Sequence, residues 1–261
     1  MDNKLLTGTD TVNKFTFSSL KISIHKIKIW LTSPRLPLIL AVLAFILMLP
    51  CLWATYKSTD LIQLEKFTSE FTQSAPMSIS GQYSFTGMDP FPGWEEYLPA
   101  WWGFGNLRLN FWRSLSELTH WLDCRLWLHS SLIMHLQSLL WFSALIYVTA
   151  LFYRRIMGMT WVAGLAALLS AIDDAHGMAV AWWGNRYVII SMLFGLFALI
   201  SHDRYRKDGW KPGAILGPVF FLLAMLTGES GLAIGGYLLS YTIFLDHRKF
   251  LYNPGSGNML K

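Results

Sequence analysis

Charge is scarce in this sequence. Asp, Glu, Lys and Arg make up 14% of its 261 residues, against roughly a quarter in ordinary soluble domains, so most of the chain has no water-solvated surface to offer. Cysteine is scarcer still, and Cys51 and Cys124 fall in no zinc-binding or redox spacing. The two should lie near the same membrane face, where a disulfide is geometrically conceivable. Segments of alternating polarity are missing, which excludes a membrane β-barrel. What is present is apolar: 53% hydrophobic residues and a mean hydropathy of +0.38, gathered in blocks between short Lys/Arg clusters. Only helices and closed barrels satisfy their backbone groups in lipid. The fold class is therefore all-α, a polytopic helical membrane protein. The formal charge of +5 gives no reason to expect nucleic acid as a partner, because the basic residues sit where a membrane topology places them. Several of the 13 tryptophans fall at expected helix ends, as interfacial belts require.

The hydrophobic blocks predict about six spans. Residues 1–35 interleave Lys14, Lys21, Lys26 and Lys28 with Phe17, Leu20, Ile24, Ile27 and Leu31, which fits either a basic amphipathic helix on an anionic leaflet or a disordered basic tail. Ser33 and Pro34 make a helix start for a first span over 36–55, an uncleaved anchor rather than a signal peptide. A polar outer loop follows over 56–125, beginning with an amphipathic helix capped by Thr59 or Asp60. Its Gly-, Pro- and aromatic-rich part over 87–105 either packs on the bilayer or lines a groove. Five further spans are expected over 126–153, 159–172, 187–201, 214–227 and 232–245, forming a bundle within 126–249. The tail 250–261 reads as an ending or an interruption. With the N-terminus inside, Arg154 and Arg155, Arg204 to Lys211, and Arg248 with Lys249 all fall inside. The orientation expected from the positive-inside rule is thus an integral, inner-membrane protein with both termini cytoplasmic.

That topology collects Asp89, Arg113, Asp123, Asp173, Asp174, His176, Arg186 and Glu229 on the outer face. Ionisable groups near membrane depth cost about 2.5–3.5 kcal/mol each on insertion scales and usually face a cavity or one another. The connection between the third and fourth spans is the densest in them. On a helix, Asp173 and His176 would share a face, a spacing usable for a metal or an acid/base pair. Arg186 can grip a phosphate with its planar fork or snorkel to headgroups. His135 reads as an interhelical hydrogen-bonding group. Glu229, between two Gly-flanked apolar runs, has no evident local partner.

The segment from His176 to Arg186, which includes Asn185, resembles the His-x-x-x-Ala-Val-x-Trp-x-x-x-Arg connection of the protein O-mannosyltransferases with tetratricopeptide tails, members of the C-type superfamily of membrane glycosyltransferases. Other pieces occur in the same order. Phe111 to Leu115 looks like the family's aromatic-Arg-Pro-Leu motif, Met134 to Leu140 like its His-Leu-x-Asn-Leu-Leu helix, and Gly228 with Glu229 like its Lys-Glu pair. The resemblance spans about 111–246. Ser114, Ser138, Met178 and Gly228 stand where the family has Pro, Asn, an acidic residue and Lys.

The resemblance implies a membrane glycosyltransferase, or the N-terminal part of one. It would take sugar from a polyprenyl-phosphate carrier on the outer face and transfer it to a protein or glycan hydroxyl. Asp89, Asp173 and Asp174 are the expected catalytic carboxylates, activating the hydroxyl or holding a divalent cation such as Mg2+ or Mn2+. Arg113 and Arg186 would hold the donor phosphate, with His135, His176, Asn185 and Glu229 in support. The alternative is a non-catalytic polytopic protein, either a truncated relative or a subunit that binds lipid or a partner.

Overall fold

The computed structural model describes residues 25–56, 60, 61, 64, 84–85, 109–110, 112–127 and 130–246. Within these it is a bundle of helices. Helix α1 covers 25–31, and α2 (Leu36–Leu47) follows, with proline in its first turn, where the missing N–H is no loss. Pro50 sits in the 3-10 segment Leu49–Trp53 that continues α2. Then come α3 (Ser114–Trp127), α4 (Ser131–Met157), α5 (Trp161–Ile172), α6 (Gly177–Ala181), α7 (Arg186–Asp208), α8 (Gly213–Thr227) and α9 (Leu232–Tyr241). The one strand pairing among the described residues joins Ser84 to Asn110 and Phe85 to Leu109 antiparallel.

Among the described residues three helical stretches are long and apolar enough to cross a membrane: Leu36–Trp53, Ser131–Met157 and Trp183–Asp208. Trp161–Ile172 and Gly213–Thr227 are shorter apolar helices. The expected second span divides: α3 ends at Trp127 and α4 restarts at Ser131. There Ser130 caps the new helix by accepting from the Ile133 N–H, a turn chemistry that hydropathy does not register. Thr160 caps α5 through the Ala163 N–H. The fourth expected span extends to Asp208 and stops at Gly209, whose φ of 68° is left-handed. The sixth ends earlier as α-helix, passing into a π-helical turn at Thr242.

The main core joins Leu36, Leu40 and Ala44 of α2 to Leu139, Phe142 and Ile146 of α4, Ala167 and Ala171 of α5, and Ile189 and Leu193 of α7. Helices α7 and α8 approach closely through small residues. The Ser191 hydroxyl donates to the Ala224 carbonyl at 2.9 Å, and a Cβ on Gly213 would lie 2.4 Å from the Ser201 carbonyl oxygen. Small residues and interhelical hydrogen bonds are the means by which apolar helices associate in lipid. Large side chains on the outside, such as Leu38, Val42, Leu222 and Leu239, suit a hydrocarbon environment.

The ionisable groups separate to the two ends of the bundle. One end carries Lys26, Lys28, Arg35, Arg154, Arg155 and the run from Arg204 to Lys211; the other carries Asp60, Arg113, Glu117, Asp123, Arg125, Asp173, Asp174, Arg186 and Glu229. At the basic end Asp203, fully buried, accepts from Arg155 (2.5 Å), Lys207 (2.6 Å) and the Tyr241 hydroxyl (2.7 Å), tying α4, α7 and α9. Arg154 donates to the carbonyls of Ser33 and Pro34 and so fixes the turn between α1 and α2.

Helices α1 and α5 meet at Gly164, where a Cβ would lie 2.2 Å from the Leu31 carbonyl oxygen. Replacing Gly164 with Ala improves intrinsic helix propensity by about 1 kcal/mol, yet we expect the variant to unfold at a lower temperature, because backbone has no room to yield. A higher melting midpoint in detergent than that of the wild type would show the contact to be soft.

Candidate functional site

The buried polar centre lies where the 173–185 connection meets α3 and α4. Ile172 ends α5, and Asp173 caps a 3-10 turn over Asp174–His176 by accepting from the Ala175 N–H at 3.0 Å. Helix α6 and a second 3-10 turn, Trp183–Asn185, then lead into α7. Asp173 and His176 therefore sit on a cap and a turn rather than on one helical face. Asp173 and Asp174 are exposed. His176 packs against the Phe142 ring, 5.2 Å between centroids.

Arg186, the first residue of α7, is fully buried. Its Nε donates to Ser138 Oγ (2.9 Å), Nη1 to Asp123 Oδ2 (2.5 Å) and Gln137 Oε1 (2.7 Å), and Nη2 to the Met134 carbonyl (2.6 Å). Asp123, also without exposed surface, takes the Trp183 indole N–H at 3.0 Å on the same oxygen. The next backbone N–H, Gly184, donates to Asp60 at 2.9 Å. Thus the turn before α7 is pinned from α3, from α4 and from residue 60. His120 lies against Trp183 with ring centroids 4.2 Å apart. His135, 1% exposed, lies 6.2 Å from the Tyr56 ring. Asn185 is half-buried in the second 3-10 turn.

Burial shapes the chemistry of this centre. It raises the Asp123 carboxyl above the usual range, an effect that the charge of Arg186 and the Trp183 hydrogen bond oppose. It lowers His120 well below the ordinary value of 6.5, with Arg186 adding to the shift, so the imidazole is neutral. The Cys124 thiol is pushed up to about 12 by burial, with the negative charge of Asp123 adding to the shift; both cysteines are free.

A second constellation sits at the same end, on the rim. Arg113 donates from Nε and Nη2 to Glu229 Oε2 at 3.0 and 2.9 Å, with Nε also 3.3 Å from Oε1. Its guanidinium carbon lies 3.5 Å from the centre of the Tyr187 ring. The pair is only partly open to solvent: Arg113 keeps 11% of its side-chain surface and Glu229 50%. A Cβ on Gly228 would lie 2.5 Å from the Tyr187 ring, so the lysine of the family motif has no place beside Glu229 here.

No protein-family model, curated protein or solved structure matches the chain. The arrangement rests on its own geometry.

Of the expected site residues, Arg186 joins Asp123, and Arg113 joins Glu229, each cation with a carboxylate that sequence spacing did not assign to it. Asp173 and Asp174 share their end of the bundle, while Asp89 lies outside the described residues. Among the described residues no three His, Cys, Asp or Glu side chains gather as a cation site, and Asp173 spends one carboxylate oxygen on its own turn. Asp60 and His120 belong to the buried centre without having been expected as site residues. The faint signal was that Glu117, His120 and Asp123 recur at helical spacing along α3.

Removing one partner of a buried ion pair leaves a charge stranded. Asp123→Ala should therefore lose about 3–5 kcal/mol of stability, while Asp123→Leu combined with Arg186→Met regains much of it, as read by denaturant unfolding in micelles. For His120, whose native value lies below its unfolded one, the unfolded state binds the extra proton first. Stability should hold above about pH 7 and fall as the pH drops below 6.5, with a slope smaller by one proton in His120→Phe.

Proposed function

We propose that the chain is a membrane glycosyltransferase, or the front part of one, that bundles six helices and takes its sugar from a polyprenyl-phosphate donor at the acidic end, facing outward. The observation that carries this reading is the Arg113 fork, laid on Tyr187 and gripping a half-exposed carboxylate at the same end as Asp173 and Asp174. A guanidinium placed to take two oxygens of a carboxylate takes two oxygens of a phosphate in the same geometry. The donor phosphate would then replace Glu229 at Arg113.

The acceptor hydroxyl attacks the anomeric carbon of the sugar, and the bond from that carbon to the phosphate oxygen breaks. The bonding pair leaves with the polyprenyl phosphate, whose growing charge Arg113 stabilises. The hydroxyl proton passes to a carboxylate, Asp173 or Asp174 at the exposed turn, or Asp89 in the preceding segment. Arg186 contributes by holding the 173–185 connection rather than by touching the donor. The basic end then faces the cytoplasm, as the positive-inside rule favours.

A second reading is supported by the complete engagement of Arg186 with protein groups: a non-catalytic subunit that binds lipid or a partner through the same rim. The two separate in one assay. The purified full chain, supplied with polyprenyl-phosphate sugars and acceptor peptides or glycans, should transfer sugar, and Arg113→Ala should lower kcat/KM for the donor by about a hundredfold. Undiminished transfer in an Asp89, Asp173, Asp174 triple alanine variant would remove the mechanism. Retention of polyprenyl phosphate without turnover would favour the subunit.

A further inference from the structure

Among the described side chains the basic end of the bundle has more cations than carboxylates, nine Lys and Arg against Asp203 and Asp208. Asp203 is buried and already shared by Arg155 and Lys207, and Asp208 pairs with Arg155. Lys28, Arg35, Arg204, Arg206 and Lys211 are all exposed.

Aromatic rings stand at the same level. Lys28 lies 4.8 Å from the centre of the Trp161 ring and Arg204 lies 4.4 Å from that of Trp210. Helix α1 adds Ile27, between Lys26 and Lys28, and Ile29 and Trp30 directly after them, exposed by 56%, 58% and 40%. Nothing in the described protein covers these apolar side chains. Yet α1 is held in place, by the burial of Leu31, its close approach to Gly164 and the bonds from Arg154 to the turn that follows.

We infer that this end is a docking surface for anionic phospholipid headgroups. Three features favour lipid over an acidic protein segment. The cations ring the level at which apolar helices end; isoleucines and a tryptophan alternate with lysines, as on a helix lying at a lipid interface; and indoles sit beside the cations at headgroup depth. Lysines and arginines clustered beside membrane-spanning helices recognise anionic headgroups by charge. Among the described side chains the opposite end has more carboxylates than cations.

The test uses the full chain in detergent, mixed with equal amounts of phosphatidylglycerol and phosphatidylcholine, with retained lipids counted by native mass spectrometry. Phosphatidylglycerol should be kept over phosphatidylcholine by at least about fivefold, the gain expected from a single well-placed cation. The preference should shrink in 1 M salt, where the screening length is about 3 Å, and in the combined Arg204→Gln, Arg206→Gln, Lys211→Gln variant. Arg125→Gln, at the other end, should leave it unchanged. Equal retention of the two lipids in the wild type overturns the inference. So does a preference that falls with salt but survives the triple variant, or one lost in Arg125→Gln, since either places the lipid elsewhere.

Discussion

An arginine with no exposed surface at the head of α7 dictates the organisation of one whole end of the molecule. Taking a guanidinium out of water is tolerable only when an opposite charge and several acceptors meet it in good geometry. Here a carboxylate from α3, an amide, a hydroxyl and a carbonyl from α4 converge on it. That convergence forces α3 against the bundle even though α3 is too polar to be held there by apolar burial alone. It also carries Trp183 and Gly184 into fixed positions, because the same Asp123 oxygen takes the indole and Asp60 takes the backbone.

Helix α7 is restrained at its far end by the reverse arrangement, a buried aspartate surrounded by donors. Arg186 and Asp203 are 17 residues apart, about 26 Å along a helix, close to the thickness of a hydrocarbon core of about 30 Å. Two polar anchors at that separation set the depth of α7, and its neighbours α4 and α8 are aligned to it by packing and by the Ser191 hydrogen bond. Among the described residues the mid-bundle between them contains no charged side chain.

Much of this was legible in the residue order. Blocks of apolar residues mark where α2, α4, α5, α7, α8 and α9 lie, because hydropathy and basic stops reflect what lipid tolerates, although α4 begins at Ser131 rather than 126 and α7 runs on to Asp208 rather than 201. The dense run from Asp173 to Arg186 was visible as an anomaly for the same reason. What the pattern could not carry were pairings across long separations: 63 residues between Asp123 and Arg186, 116 between Arg113 and Glu229. A charge in a greasy sequence announces a cost but not the partner that offsets it. Helix α3 was missed as an element of the bundle because its apolar character is weak, and its reason for docking is that distant arginine. The break at Ser130 escaped for a different reason, a local cap inside a segment that is apolar on both sides.

The unequal lengths of α4 and α5 act on the surrounding lipid. Helix α4 has 27 residues and α5 has 12, about 40 Å against 18 Å at 1.5 Å per residue. A bilayer cannot match both, and the mismatch is relieved by tilting the longer helix and pinching the leaflets beside the shorter one. If α5 crosses the bilayer beside α4, headgroups and water would reach further down on its side than elsewhere around the bundle. The turn bearing Asp173 and Asp174 follows the end of α5, so with such a dip an amphiphile with its head in water and its chain in oil would meet these carboxylates without leaving the bilayer.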